Sequence, residues 1–123
     1  MKTIFLLCGV ILVLAGFFFW RSLRGPTHFG TFSGAPKSEV IMLIDNPKEF
    51  LKKTVTVEDI VRKQCSTMGC YFFFEAADKL LRIDISEIAM NAPTKNGHRA
   101  RVEGQIVPYQ DGYQFWASAV EFE

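Results

Sequence analysis

Two cysteines, Cys65 and Cys70, flank residues 66–69 and stand just before the aromatic run 71–74. Aromatic and alternating apolar residues on both sides predict strands, so the two thiols should lie where one strand turns into the next. No other stretch of the sequence concentrates reactive side chains in this way. We therefore expect this segment, residues 65–70, to hold the chain's chemistry, and we refer to it as the cysteine turn.

One interpretation of the cysteine turn is a disulfide between Cys65 and Cys70. On the chain-entropy account, closing so short a loop stabilises a fold by about 2 to 3 kcal/mol, and small exported domains often use such bonds. Gly69 would supply the backbone freedom that a tight ring requires. In this interpretation Met68 is merely exposed.

A second interpretation is a soft-metal site. Cys65, Met68 and Cys70 place two thiolates and a thioether in one turn, a donor set that suits Cu(I). Zinc fits less well, because a structural tetrahedral site uses four ligands and only His28 and His98 remain, at no recognisable ligand spacing. Cu(I) is therefore the cofactor that this interpretation implies.

A thiol-redox enzyme is the third interpretation. Such enzymes place a Cys-x-x-Cys pair at the N-terminus of a helix, where the helix dipole lowers the thiol pKa. Here the cysteines have two more residues between them and lie between strands, so nothing supplies that dipole. The carboxylates Glu58, Asp59 and Glu75 are dispersed, and no Ser-His-Asp order or phosphate-binding glycine loop stands out. We therefore expect a protein without catalytic residues, not an enzyme.

The apolar N-terminal segment determines which compartment the cysteines meet. Residues 3–20 contain no charge, and a helix of that length spans roughly 27 Å, close to the hydrocarbon thickness of about 30 Å. We expect a retained transmembrane anchor over residues 1–24. Its predicted membrane-anchoring residues are Phe17, Phe18, Phe19 and Trp20, the last at the interface. The alternative is a signal peptide cleaved near residues 13–15.

The folded domain is predicted to lie outside the cytoplasm. Lys2 precedes the apolar segment and Arg21 and Arg24 follow it, so the positive-inside rule does not choose an orientation. The signal-like leader and the close cysteine pair favour an oxidising compartment. We expect a single-pass inner-membrane protein with its C-terminal domain in the periplasm. The net charge of +1 argues against nucleic acid as a partner.

Beyond the anchor, roughly 85 to 90 residues remain, which suits one small domain. Residues 25–37 are rich in Gly, Pro and Ser and predict a linker, so the domain should span residues 38–123. Ser38 is expected to cap a short helix. The apolar positions of that helix share one face, and a second helical turn follows a break at Asn46-Pro47. Those apolar positions are Val40, Ile41, Leu43 and Ile44.

From Thr54 onward, apolar and polar residues alternate and predict five strands. The alternation is disturbed at Glu58-Asp59, which predicts a bulge in the first strand. Residues 71–75 and 81–85 predict one hairpin, and residues 100–106 and 113–122 predict a second, turned at Asp111-Gly112. This is the strand order of an OB-fold, with Gly104 placed to bend the fourth strand. The expected fold class is therefore mainly β, a five-stranded OB-like barrel with a short N-terminal helix, preceded by a single transmembrane helix.

The sequence resembles a family of uncharacterised, exported bacterial OB-like domains. The resemblance covers residues 29–107, and its specific part is a Cys-x-x-x-Gly-Cys signature, followed by Trp in the family and by Tyr71 here. Asp59 is a second departure, because the family usually has Gly there. The matching segments are Phe29-Gly30, the helix after Ser38, Asn46-Pro47, residues 55–58, 65–71 and 81–84, and Val102-Glu103-Gly104. The resemblance implies the fold but no activity, since the family itself is of unknown function.

Three functional hypotheses follow. The first is a membrane-anchored, extracytoplasmic, OB-like binding or accessory module that engages a partner protein or soft metal through its barrel face and cysteine turn. The second is a single-pass structural accessory subunit of a larger membrane protein complex, a role compatible with the aromatic residues Phe29 and Phe32 near the anchor. The third is a metal or haem chaperone. OB architecture alone does not choose among these ligands.

Overall fold

The computed structural model describes residues 8–9, 11–14, 27–65, 70–89 and 92–123. A short α-helix and a 3₁₀ helix lie between the first two strands, and four more strands complete the chain. The strands are β1 (His28–Gly30), β2 (Val55–Ile60), β3 (Tyr71–Ala76), β4 (Lys79–Asp84), β5 (Arg99–Tyr109) and β6 (Gly112–Phe122), and the helices are α1 (Val40–Asp45) and the 3₁₀ helix (Pro47–Phe50).

The strands form one sheet in the order β2-β5-β6-β4-β3, and β1 also pairs with β6. The neighbours in sequence, β3 with β4 and β5 with β6, are antiparallel hairpins. The strands β4 and β6 instead pair in parallel, with Ile83 opposite Phe115. Beyond the end of β2, an isolated bridge joins Arg62 to Phe73 through two backbone hydrogen bonds of 2.9 and 2.8 Å.

The prediction of a five-stranded barrel is wrong, because the described chain forms a six-stranded sheet that is not closed into a barrel. The additional strand, β1, lies within residues 25–37, which the sequence assigned to a linker. Three residues are too few to show an alternating pattern, so the strand character of β1 depends on its partner. Phe29 lies opposite Val120, and the Phe122 N–H donates to the Thr27 carbonyl at 2.7 Å.

The transmembrane helix in the predicted fold class is not supported either. Among the described residues, no helix combines the length and the apolarity that a membrane crossing requires. The charge-free sequence of residues 3–20 predicts this helix, but the structure describes only residues 8–9 and 11–14 of that segment, which are helical. The predicted anchoring residues Phe17, Phe18, Phe19 and Trp20 lie outside the described residues.

Two local predictions in the first half of the domain are also wrong. The N-cap of α1 is Glu39, not Ser38, and no side chain donates to or accepts from the helix end there. The strand β2 pairs in continuous register with β5 through Glu58 and Asp59, without a bulge. The charged pair disturbs the apolar alternation because both side chains are partly exposed, while the backbone ladder continues through them.

The register shift of the sheet lies instead in β5, between Glu103 and Gly104. A Cβ atom at Gly104 would overlap the carbonyl oxygen of Trp116, so only glycine allows the two strands to approach at this point. The sequence predicted a bend at this glycine. The following hairpin turns at Gln110 and Asp111, one residue earlier than the pattern suggested.

The core lies on one face of the sheet, beneath α1. Phe72, Phe74, Ile83 and Phe115 are fully buried there, and Leu43 from α1 packs among them. Because side chains alternate between the two faces of a strand, the neighbours of these residues must point to the opposite face. That opposite face holds the candidate site.

Candidate functional site

The structure places Cys65 and Cys70 at the same end of β3. The Cys65 N–H donates to the Tyr71 carbonyl at 3.0 Å, and the Cys70 carbonyl accepts from the Ile85 N–H at 2.9 Å. Because Tyr71 follows Cys70 directly, the first of these bonds holds the two cysteine backbones side by side. Both cysteines are half-buried. The proximity that the sequence predicted for the two thiol-bearing residues therefore follows from β pairing.

A buried glutamine fixes the chain immediately before Cys65. The Gln64 Nε2 donates to the Pro93 carbonyl at 2.9 Å, and its Oε1 accepts from the Lys95 N–H at 2.6 Å. The Gln64 N–H donates to Asn96 Oδ1 at 2.9 Å. These three bonds tie the entrance of the cysteine turn to the loop that precedes β5.

Neither a disulfide nor a group of three or more metal-ligating His, Cys, Asp or Glu side chains occurs in the part of the chain that the structure describes. Met68, the predicted third ligand, belongs to residues 66–69 and lies outside that part. The disulfide and the Cu(I) site at Cys65 and Cys70 therefore stay predictions.

The face of the sheet opposite the core carries an aromatic surface that the sequence did not reveal. Strand pairing brings its members together: Phe73 lies opposite Arg82, and the parallel pairing of Ile83 with Phe115 places their outward neighbours side by side. We call this surface the outer platform. It consists of Tyr71, Phe73, Arg82, Tyr109, Gln114 and Trp116.

Arg82 is the centre of the outer platform. Its guanidinium carbon lies over the Tyr71 ring, 4.4 Å from the centroid, and over the Tyr109 ring, 4.6 Å from the centroid. Phe73 supports Tyr71 in an edge-to-face contact with the ring centroids 6.0 Å apart. Cation–π contacts of this kind orient a guanidinium without neutralising it. The side chain of Trp116 extends the platform and is 41% exposed.

A hydrogen-bond relay lies next to Arg82. Its Nη1 donates to Gln114 Oε1 at 2.8 Å, and Gln114 Nε2 donates to Asp84 Oδ2 at 3.2 Å. The other oxygen of Asp84 accepts from the Ser86 N–H at 2.9 Å and from the Ser86 hydroxyl at 2.6 Å. The amide of Gln114 therefore lies between the guanidinium and the carboxylate of Asp84.

The alternating pattern of β3 contains a signal that sequence reasoning could have used. The run 71–74 is aromatic at every position, so only two of its rings can face the core. The other two, Tyr71 and Phe73, must lie on the opposite face, where aromatic residues are expected to bind rather than to fill a core. The partnership with Arg82 and Tyr109 depends on strand register and has no comparable signal.

A second charged cluster lies on the outer side of β2 and β5. Arg99 Nε donates to Glu58 Oε1 at 2.6 Å, and Lys37 lies 3.6 Å from the other oxygen of Glu58. The hydrogen bond from Arg99 lowers the pKa of the Glu58 carboxyl, aided by the positive charges of Arg99 and Lys37 and opposed by partial burial. The same bond raises the pKa of Arg99. Because its charges pair with one another, this cluster is a structural ion-pair network.

Comparison with known proteins identifies the fold but no family. No family model matches the chain, and no curated protein matches it. Among solved structures, the hypothetical protein ygiW from E. coli is similar, with a TM-score of 0.52 and 14% sequence identity. The similarity covers 76% of this chain and 99% of that chain. The chain is thus a mainly β, OB-like domain that resembles an uncharacterised protein, and the family suggested by its cysteine signature stays a prediction.

Proposed function

We propose that this protein is a non-catalytic binding module that engages a partner protein through the outer platform, with the cysteine turn at its border. The main support is the position of Arg82 over the rings of Tyr71 and Tyr109, on the face opposite the core. Two rings and an amide hold this half-buried guanidinium in one orientation, which costs conformational entropy. Such a cost is expected where the ordered side chain binds a ligand. The sheet holds this surface rigidly, as recognition requires.

The residue types of the outer platform favour binding over catalysis. Tyr, Trp and Arg are enriched at protein interfaces and at their energetic centres, because they combine large contact area with directional donors. The platform offers no paired nucleophile and base of the kind that catalysis needs. A net charge of +1 favours a protein over a nucleic acid as the partner.

Site-specific crosslinking in the native cell would test the proposal. A photoreactive phenylalanine analogue is placed at Trp116 or Phe73 on the platform, or at Glu49 in the exposed 3₁₀ helix as the control. We expect one shared crosslinked partner from the two platform positions and none from position 49. The double variant Tyr71→Ala, Tyr109→Ala should lose the crosslink at Trp116. Equal crosslinking from all three positions, or none from the platform, would contradict the proposal.

We also propose that Cys65 and Cys70 form a disulfide or share a soft metal in the cell, because pairing with Tyr71 holds their backbones together. Intact-mass measurement before and after thiol alkylation separates the two states. A disulfide leaves the protein two hydrogens lighter and allows only Cys8 to be alkylated. A metal site instead gives bound copper that is lost in Cys65→Ser and Cys70→Ser. Two freely alkylated thiols without metal would refute both.

The location outside the cytoplasm belongs to the same proposal. Its support is the charge-free segment 3–20 together with the paired cysteines. A C-terminal fusion to alkaline phosphatase, which is active only after export, should be active in a bacterial host. The same fusion without residues 1–26 should be inactive. Equal activity of both fusions, or no activity of the first, would contradict an exported domain.

A further inference from the structure

The arginines of β4 and β5 differ in their partners. Arg99 pairs with Glu58, and Arg101 Nη2 lies 2.8 Å from Glu121 Oε2. Arg82 forms no salt bridge with any described residue, and its side-chain hydrogen bond goes to a neutral amide, Gln114. A guanidinium has five N–H donors, so most donors of Arg82 are left for another molecule.

Arg101 shows that ring stacking does not require an unpaired charge. Its guanidinium carbon lies 4.3 Å from the centroid of the Phe32 ring, a contact like those that Arg82 makes. Arg101 nonetheless holds a carboxylate of its own, that of Glu121. The missing carboxylate at Arg82 is therefore a specific property of the outer platform and not a consequence of stacking.

The carboxylate that Gln114 links to Arg82 is already engaged. Asp84 accepts two hydrogen bonds from Ser86 and one from Gln114. The amide of Gln114 satisfies both neighbours in only one orientation, with its oxygen toward Arg82 and its nitrogen toward Asp84. This arrangement keeps the positive charge of Arg82 available, because Asp84 cannot turn to it without losing its own donors.

Two exposed apolar side chains lie on the same face of the sheet as the available charge. Leu80 lies on the same face of β4 and is 42% exposed, and Trp116 on β6 is 41% exposed. A ligand with one carboxylate beside an apolar side chain would match this distribution. A polyphosphate backbone would match it less well, because such a ligand needs a row of cations, whereas this face offers Arg82 and, opposite Phe73, Arg62, with Asp84 close to Arg82.

We propose that Arg82 is a carboxylate receptor, so that the partner segment bound by the outer platform is an acidic peptide with apolar neighbours. This inference rests on the proposed binding function and names the ligand chemistry of the same surface. The planar guanidinium, held in place by Tyr71 and Tyr109, presents paired N–H donors to the two oxygens of a Glu or Asp side chain. Because the rings already restrict the arginine, little rotamer entropy remains to be lost on binding.

The test uses the full chain in a nonionic detergent and a fluorescent, end-blocked peptide of alternating Glu and Leu, with a Gln-Leu peptide as the neutral counterpart. Fluorescence anisotropy should show binding of the Glu-Leu peptide and at least about tenfold weaker binding of the Gln-Leu peptide, as expected for a lost charged hydrogen bond. Arg82→Gln should cause a similar loss. Arg101→Gln removes the same charge from a stacked but paired arginine and should change binding by less than about twofold.

A second variant keeps Arg82 in place. Gln114→Glu puts a carboxylate beside the guanidinium. Because this carboxylate would pair with Arg82, binding of the Glu-Leu peptide should weaken by about tenfold. Equal binding of the two peptides, equal effects of Arg82→Gln and Arg101→Gln, or stronger competition by inorganic phosphate or an oligothymidine would overturn the carboxylate assignment. If one of these results is obtained but the crosslinks from Trp116 and Phe73 in cells persist, the proposed binding function is retained and only the carboxylate assignment is rejected.

Discussion

Gln64 illustrates how one buried side chain positions the cysteine turn. Its amide donates to the Pro93 carbonyl and accepts from the Lys95 N–H, and its side chain is almost inaccessible to solvent. Gln64→Ala leaves both loop groups without these bonds, which should lower the free energy of unfolding by about 1 to 3 kcal/mol. Urea unfolding followed by circular dichroism measures the loss. Gln110→Ala, at an exposed turn, should cost less than about 0.5 kcal/mol. Comparable losses would mean that Gln64 is not an anchor.

The ionisation of Glu58 should make the stability of the fold depend on pH. The hydrogen bond from Arg99 lowers the pKa of this carboxyl below its ordinary value of 4.5. A carboxyl whose pKa is lower in the folded state stabilises the fold above its unfolded pKa, and this contribution is lost as the pH falls through the folded pKa. In Glu58→Gln the decrease in the urea midpoint between neutral pH and the acid range should therefore be shallower than in the wild type.

The matched control for this titration is Glu49→Gln. Glu49 is exposed in the 3₁₀ helix and forms no ion pair with the residues that the structure describes. The pH profile of this variant is the reference against which the profile of Glu58→Gln is compared. A profile in which both variants match the wild type would show that the Glu58–Arg99 contact contributes nothing in solution.

For single residues, the sequence predicted spatial proximity only where two residues are close along the chain. Cys65 and Cys70 are five positions apart, and a single strand reversal is enough to bring them together. Arg82 and Tyr109 are far apart in sequence, and their contact requires the register of β4 on β6 and of β6 on β5. Alternation reports which face a residue takes but not its neighbour across strands, so the outer platform could not be derived from it.

The hairpin between β3 and β4 turns through two residues with positive φ, Ala77 at 50° and Asp78 at 62°. A two-residue turn with both angles positive favours Asn followed by Gly, and an alanine in this region costs about 1 kcal/mol or more. The double variant Ala77→Asn, Asp78→Gly should therefore raise the free energy of unfolding by about 1 kcal/mol. Thermal and urea unfolding both measure it.

The preceding position supplies a control of opposite sign. Ala76 is the last residue of β3 and is not among the residues with positive φ. Ala76→Gly adds flexibility to a strand and should lower stability by about 0.5 to 1 kcal/mol. If both changes destabilise the protein, the turn geometry does not limit its stability.

Substitution of Gly104 tests whether β5 and β6 approach as closely as the structure shows. A methyl group at Gly104 would overlap the Trp116 carbonyl oxygen, whereas one at Gly112 meets no heavy atom in contact range. Gly104→Ala should cost about 3 kcal/mol or more, since either the backbone must shift or the bulge must be lost. Gly112→Ala should change stability by less than about 1 kcal/mol. Similar urea midpoints for the two variants would rule out the tight crossing.

Elements with strong patterns were predictable, and elements defined by their partners were not. The alternation around Leu81 and Ile83 predicted β4 correctly, and the hairpin with β3 followed from the short turn between them. The bulge predicted at Glu58-Asp59 was wrong, because apolar alternation indicates where side chains are buried and not where the register of the strand pairing shifts. The shift at Gly104 was visible only because a glycine interrupts a strong strand pattern.

For the whole molecule, the least predictable feature is where the folded unit begins. Composition assigned residues 25–37 to a linker, yet the described part of this segment, residues 27–37, contributes β1 and further contacts with the sheet. The Phe29 ring packs edge-to-face on Phe122 with centroids 6.4 Å apart. The Ser33 N–H and hydroxyl both donate to the buried carboxylate of Glu103. Glycine and proline in this segment accommodate irregular backbone against the sheet and do not signal independence from it.

A comparison of two shortened chains follows from these contacts. A chain of residues 27–123 keeps β1 and the Ser33–Glu103 bonds, and its urea midpoint should match that of the full chain. A chain of residues 38–123 also loses the Thr56 N–H bond to the Pro36 carbonyl, 2.9 Å long, and exposes the Phe122 edge of the sheet. The removal of an edge strand, a partly buried ring and a partner of a buried charge should destabilise this chain by several kcal/mol, about enough to unfold a small domain.

Point variants in the full chain keep the comparison informative if the shorter chain does not fold. Phe29→Ala should lower the free energy of unfolding by about 2 kcal/mol for a half-buried ring. Ser33→Ala removes only the hydroxyl donor and should cost about 1 kcal/mol, because the backbone N–H of residue 33 still donates to Glu103. If both variants and the 38–123 chain are as stable as the full chain, residues 27–37 are a linker after all. A loss of stability in all three instead establishes that the sheet, which carries the outer platform, needs strand β1.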